Sequence, residues 1–83
     1  MIVIEPIKTE KAIAKIEEEN TLTFHVALDS TKLQVKSEVE KLFAVKVASV
    51  RTYVTSKGHK HALVRLEKDY KADDIATKLK MIA

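Results

Sequence analysis

The stretch TLTFHVALDSTKLQVKSEVEKLF, Thr21 to Phe43, changes its hydrophobic period once, and that change decides the fold. From Thr21 to Leu28 the residues alternate, with Leu22, Phe24, Val26 and Leu28 on one side and Thr21, Thr23, His25 and Ala27 on the other. This is the pattern of a half-buried strand. Asp29, Ser30 and Thr31 then offer capping oxygens, and Val35, Val39, Leu42 and Phe43 follow at i, i+4, i+7 and i+8, the apolar stripe of a helix.

The flanks extend the pattern on both sides. Towards the N-terminus, Thr9 reads as an N-cap with Glu10 in the first turn, where a negative charge suits the helix dipole. Ala12, Ile13 and Ile16 give that helix its stripe, and Glu17, Glu18, Glu19 and Asn20 end it. Three acids at a helix C-terminus are locally unfavourable, which predicts an end that frays or has a surface role. Met1 to Glu5 reads as a short edge strand before Pro6, whose missing N–H bars a central position. Towards the C-terminus, Val45, Val47, Val50 and Val54 mark a second strand whose alternation slips around Ala48 and Ser49, predicting a bulge. Ser56 to His59 reads as a turn, and Lys60 to Leu66 as the returning strand with Ala62, Val64 and Leu66 inward. Asp73 or Asp74 caps a last helix whose Ile75, Ala76, Leu79 and Ile82 share a face. The sum is one α+β domain over residues 1–83, a small antiparallel four-stranded sheet packed with two to three helices.

Length sets limits on what that domain does. Eighty-three residues hold one core, and the absence of cysteine removes disulfides and thiolate metal sites. No apolar run approaches the roughly 20 residues of a membrane span, and Met1 to Glu5 lacks a signal-peptide pattern, so the expectation is a soluble intracellular protein without membrane insertion. The formal charge of +3 conceals an uneven distribution. Between Glu40 and Glu67 there is no acid, and Lys41, Lys46, Arg51, Lys57, Lys60 and Arg65 give that window +6 against −3 for the remainder. Such a field concentrates a polyanion at one face and leaves another free; lysines that merely protect an exposed hairpin edge would also produce it.

The hairpin carries more than charge. With Val50 and Val54 turned inward, Arg51, Tyr53, Thr55 and Lys57 point outward beside His61, Leu63 and Arg65, so cations and an aromatic ring share one surface. Arg51, Tyr53, Lys57, His59, Lys60, His61 and Arg65 together supply phosphate-binding charge and planar groups for bases. Thirteen lysines against two arginines favour backbone positioning over reading of base edges. His59 and His61 form an H-x-H pair, but with His25 on another strand and no nearby acid, a metal site is not expected. An acylphosphatase-type activity would have to use Arg51 or Arg65 with Asn20, which sits beside three glutamates, and no phosphate loop or nucleophile triad is visible. No enzyme and no cofactor are expected.

Pro6-Ile-Lys-Thr-Glu-Lys-Ala12 resembles the N-terminal signature of the universal large-subunit ribosomal protein L23 family. Ser30-Thr-Lys32 leading into Val39-Glu-Lys-Leu-Phe43 is similar to its second helix. Val45-Lys-Val47 with Val50, the return Gly58 to Leu66, and Asp74-Ile-Ala76 match further segments in order. The resemblance implies a structural ribosomal protein that binds large-subunit rRNA beside the polypeptide tunnel exit, touches a neighbouring large-subunit ribosomal protein, and helps dock nascent-chain factors such as the signal recognition particle. It would reside on the cytoplasmic ribosome. It places RNA contacts on Thr9, Lys11, Arg51, Lys57, Lys60 and Arg65, and Lys8, Lys46 and Gly58 beside them complete, with Tyr53, His59 and His61, the candidate RNA-binding set. Glu17, Glu18 and Glu19 fall on the exit-side docking surface. The short turn at Gly58 lacks the long basic loop of bacterial relatives, and the domain begins at Met1 without the basic extension of eukaryotic ones, so an archaeal-type member is expected. Lys80 stands where archaeal relatives often have Gly. The alternative is a small regulatory or protein-interaction domain of ferredoxin-like architecture.

Overall fold

A computed structural model describes residues 4–78. The order is β1 (Ile4–Pro6), α1 (Glu10–Glu19), β2 (Thr21–Val26), α2 (Lys32–Phe43), β3 (Val47–Val54), β4 (Lys60–Leu66) and α3 (Ala72–Lys78). The strands form one antiparallel sheet ordered β1-β2-β4-β3, which with three helices is the expected α+β fold. The two cleanest alternating segments, β2 and β4, take the centre. Pro6 sits in β1 at the edge, where a missing N–H breaks no ladder; Met1 to Val3 lie outside the described residues.

Register explains the core. Leu22 pairs with Val64 and Phe24 with Ala62, so one face of the two central strands is continuously apolar. Val35 and Val39 of α2 are fully buried with it, and the Phe43 ring stacks on Phe24 with centroids 6.0 Å apart. Each buried side chain of this size contributes roughly 1.5–3 kcal/mol. The α2 N-terminus is closed by a capping box: the Thr31 hydroxyl accepts from the Gln34 N–H, and the Gln34 side chain accepts from the Thr31 N–H. The slip near Ala48 is a register shift between Val47 and Ser49, and the Glu40 carboxylate accepts the Val47 N–H there at 3.0 Å.

Three expectations are corrected, and at the acidic end of α1 one of two alternatives is removed. Leu28 leaves the core side, 61 % exposed, because β2 ends at Val26 and Ala27 to Ser30 form a turn closed by the Ser30 N–H on the Ala27 carbonyl. Leu42 is 59 % exposed because α2 packs along Val35, Val39 and Phe43, a ridge of fours that leaves i+7 outside the contact. The acidic end of α1 does not fray. Asn20 adopts a left-handed conformation, φ 53°, its N–H donates to the Lys15 carbonyl, and the Thr21 hydroxyl donates to the Glu19 carbonyl at 3.0 Å. Finally, α3 begins at Ala72, ahead of both aspartates, because its first N–H donates to the Asn20 side chain at 2.7 Å. Leu79, Lys80 and Ile82 lie outside the described residues.

Candidate nucleic-acid interface

The sheet face opposite α2 is built by the same pairing. Arg51 stands opposite Leu63 and Leu63 opposite Thr23; Tyr53 stands opposite His61, His61 opposite His25 and His25 opposite Glu5. One row across four strands therefore carries a phenol, two imidazoles and a carboxylate. The Tyr53 hydroxyl lies 3.0 Å from His61 Nδ1, and the two rings meet edge to face at 5.2 Å. His59 stacks on His25 at 5.1 Å, so the three histidines, from two strands and a turn, form one cluster. Burial, then the positive charge of His25 and His59, holds the His61 imidazole below its ordinary 6.5 and so favours its neutral form. Among the described residues no group of three His, Cys, Asp or Glu side chains is arranged to hold a metal.

The turn that carries Lys57 and His59 is pinned locally. The Thr55 N–H donates to the His59 carbonyl at 2.7 Å and the Gly58 N–H to the Thr55 carbonyl at 3.0 Å. Gly58 has φ 80°, a conformation that side-chain-bearing residues rarely adopt, so it fixes the shape of the tip.

The N-terminal turn reaches the same face. Thr9 caps α1 by accepting the Ala12 N–H at 3.2 Å, and Thr9 and Lys11 border a groove whose far wall is Tyr53, His61 and Leu63. Two candidate segments distant in sequence thus meet. Lys8 and Lys46 are exposed near the ends of β1 and β3. Lys60 is held apart: it shares a register row with Val54 and Val26 on the α2 side, and its ammonium donates to the carbonyls of Ser30 and Leu28. Arg65 is exposed but shares a groove with Glu17, Glu18 and Glu19, so the basic window of the sequence does not map onto one uninterrupted basic surface. Asn20 is fully engaged by backbone groups of Tyr70 and Ala72 and has no spare atom for phosphate chemistry.

Sequence reading missed Thr23, His25 and Lys15 as members of this face. Lys15 could have been found, since it follows Lys11 at i+4 on one face of α1. Thr23 and His25 could not, because only the non-local neighbourhood of β2 and β4 brings them to the hairpin.

The fold and this face define a small α+β domain with cations and aromatic rings gathered on one side of its sheet. The chain belongs to the ribosomal protein L23 family: the family described as Ribosomal protein L23 matches residues 1–78. It is similar to the large ribosomal subunit protein uL23A of Caenorhabditis elegans, 46% identical over 98% of this chain and 55% of that protein. It is similar also to the large ribosomal subunit protein uL23 of Tetrahymena thermophila, 47% identical over 98% of this chain and 54% of that protein. The chain spans about half the length of these curated relatives. Both are eukaryotic, and they lend nothing to the archaeal type. The family is one of structural ribosomal proteins, not of enzymes.

Proposed function

We propose that the chain is a structural constituent of the large ribosomal subunit and that it binds large-subunit rRNA through the outer face of the β3–β4 hairpin and the turn at Thr9. The observation that supports this best is the groove in which Thr9 and Lys11 face Tyr53 and His61. Cations there serve phosphates, and the tyrosine ring serves a base. Recognition is of RNA shape more than sequence, since lysine is a point charge. The test is the salt dependence of binding to a large-subunit rRNA fragment. With about five phosphate contacts, log affinity falls against log salt with a slope of roughly −3.5 to −4.5. A slope near zero, or no retention on the fragment, ends this reading in favour of a protein-binding or regulatory domain.

The finer placement follows family resemblance: a site beside the polypeptide tunnel exit of the cytoplasmic ribosome, with Glu17, Glu18 and Glu19 on the docking surface for nascent-chain factors such as the signal recognition particle. Its support is that these three glutamates are exposed on a helix end held by Asn20. Exposed Leu33 and Leu42 of α2 give a neighbouring ribosomal protein an apolar surface to cover. For the archaeal type, the short turn from Thr55 to His59 counts against the long-looped bacterial relatives and does not choose between archaeal and eukaryotic ones.

A further inference from the structure

Among the described residues, four of the surface grooves can be compared by charge, and three of these have carboxylates on their walls: Glu67 and Asp69 in one, Glu5 in the second, and Glu17 to Glu19 with Asp73 in the third. The fourth, of about 350 Å³, lies between α1 and the open sheet face and has Lys11 and Lys15 but no acid among its described residues. Its charge alone suits an anion. Lys15 also lies 3.5 Å from Glu19, an i,i+4 pair on α1 with Lys15 half-buried and Glu19 exposed, of a kind that is weak on a helix surface and leaves the ammonium able to exchange partners. Ile7 and Leu63 make part of the lining apolar, and the Tyr53 ring beside them is 46 % exposed.

One further wall residue is out of the ordinary. Thr23 is only 4 % exposed, and its hydroxyl has no hydrogen-bond partner, whereas buried hydroxyls are almost always paired. Retaining an unpaired hydroxyl where valine would fit costs stability in the free protein, and a ligand that pairs with it recovers that cost. An apolar, aromatic-walled groove with two ammonium groups at its rim and a wall residue whose buried hydroxyl is unsatisfied suits an occupant with a planar apolar part, hydrogen-bonding edges and a negative tail.

We propose that this groove holds a single unpaired nucleotide of the bound RNA, with its base against Tyr53, its phosphates at Lys11 and Lys15, and a polar atom of base or ribose paired with Thr23. The inference rests on the rRNA-binding reading and adds to it that the bound RNA is unpaired at this point. Paired bases bury their faces in the helical stack, so a double helix has no free base face to offer Tyr53. Stacking on an aromatic ring accepts any base, so sequence preference is weak.

The test titrates the full 83-residue chain, isotopically labelled, with oligouridylate and oligoadenylate tetramers and with a short blunt RNA duplex. Both tetramers should move the amide signals of Lys11, Thr23, Tyr53 and His61, and the duplex should leave them in place. Thr23→Val should weaken tetramer binding roughly three- to tenfold while leaving the unfolding midpoint unchanged or higher, a combination that a purely structural hydroxyl would not give. Tyr53→Leu should weaken it roughly tenfold or more, and Tyr53→Phe should retain most of it. Signals that move only at Lys57 to His59, an equal response to the duplex, or Thr23→Val and Tyr53→Leu variants that bind the tetramers like the parent each overturn the proposal. If the parent chain is retained on the rRNA fragment while the groove signals stay still, this inference alone fails; if it is not retained at all, the reading beneath it fails.

Discussion

The corner at Asn20 and the tip at Gly58 both turn the chain through a residue of positive φ, 53° and 80°, yet they are built on opposite principles. At the corner one side chain serves distant partners: it donates to the Tyr70 carbonyl at 2.8 Å and accepts the Ala72 N–H at 2.7 Å, joining α1, β2 and α3. At the tip every hydrogen bond lies within the five residues from Thr55 to His59, and the side chains Lys57 and His59 stay exposed. The corner uses polar atoms to hold the fold. The tip holds its own shape and leaves the side chains of Lys57 and His59 exposed, so stability and the proposed binding are separable by mutation in this small domain.

Asn20→Ala should break the comparison most severely, with a loss of about 3 kcal/mol from two well-made hydrogen bonds and the cost of a left-handed alanine. Asn20→Gly keeps the backbone and should lose about 1 kcal/mol less, so equal urea midpoints for the two variants would mean the left-handed geometry contributes nothing. On the other side, Arg51→Ala with Lys57→Ala should leave the midpoint almost unmoved, since exposed charges contribute little, while the salt slope on rRNA becomes shallower by about 0.7–0.9 for each cation removed. Arg65→Ala should change the slope less, because Glu17 to Glu19 share its groove. Lys60 makes a poor probe of binding, since its removal also strips the carbonyls of Ser30 and Leu28 of a donor.

The smallest effect is on pH. His61 is held below 6.5 in the folded chain, so between 6.5 and its folded value the unfolded chain binds more protons. Stability is then fully present above 6.5, falls as pH drops through that window, and levels off below it. Urea midpoints compared at pH 7.5 and 5.5 should show the fall, and His61→Gln should reduce it; a parent midpoint that rises on acidification contradicts the assigned direction.

How much of this was legible in the sequence follows from how local each cause is. The β2 alternation, a cap for α2 among Asp29, Ser30 and Thr31, the slip at Ala48 and both hairpin strands are set by residues within a few positions of one another, and each was readable. Leu28 and Leu42 were misplaced because a strand's last residue and a helix's lateral drift depend on what packs beside them. The start of α3 was misplaced because its cap comes from Asn20, whose sequence neighbours suggested only a strained helix end. At the candidate interface, the hairpin's outward residues were legible from period two, and so was the place of Lys60 on the opposite face, since it shares its parity with Ala62, Val64 and Leu66; Arg65 beside the glutamates and His25 beside His59 required the β1-β2-β4-β3 order.

The bond from Ala72 to Asn20 spans 52 positions, and that span is also an interval of time. At a synthesis rate of about 5–20 residues per second, Asn20 emerges roughly 3 to 10 s before the partner that completes its corner. At first the corner between α1 and β2 has its left-handed turn and the bonds to Lys15 and Glu19 to define it; the Leu66 N–H can then donate to the Asn20 carbonyl once the β3–β4 hairpin, whose pairing is short-range, closes, and Tyr70 and Ala72 come last. The surface proposed to meet RNA is therefore assembled early, and the side chain that locks the rest of the domain around it acts last.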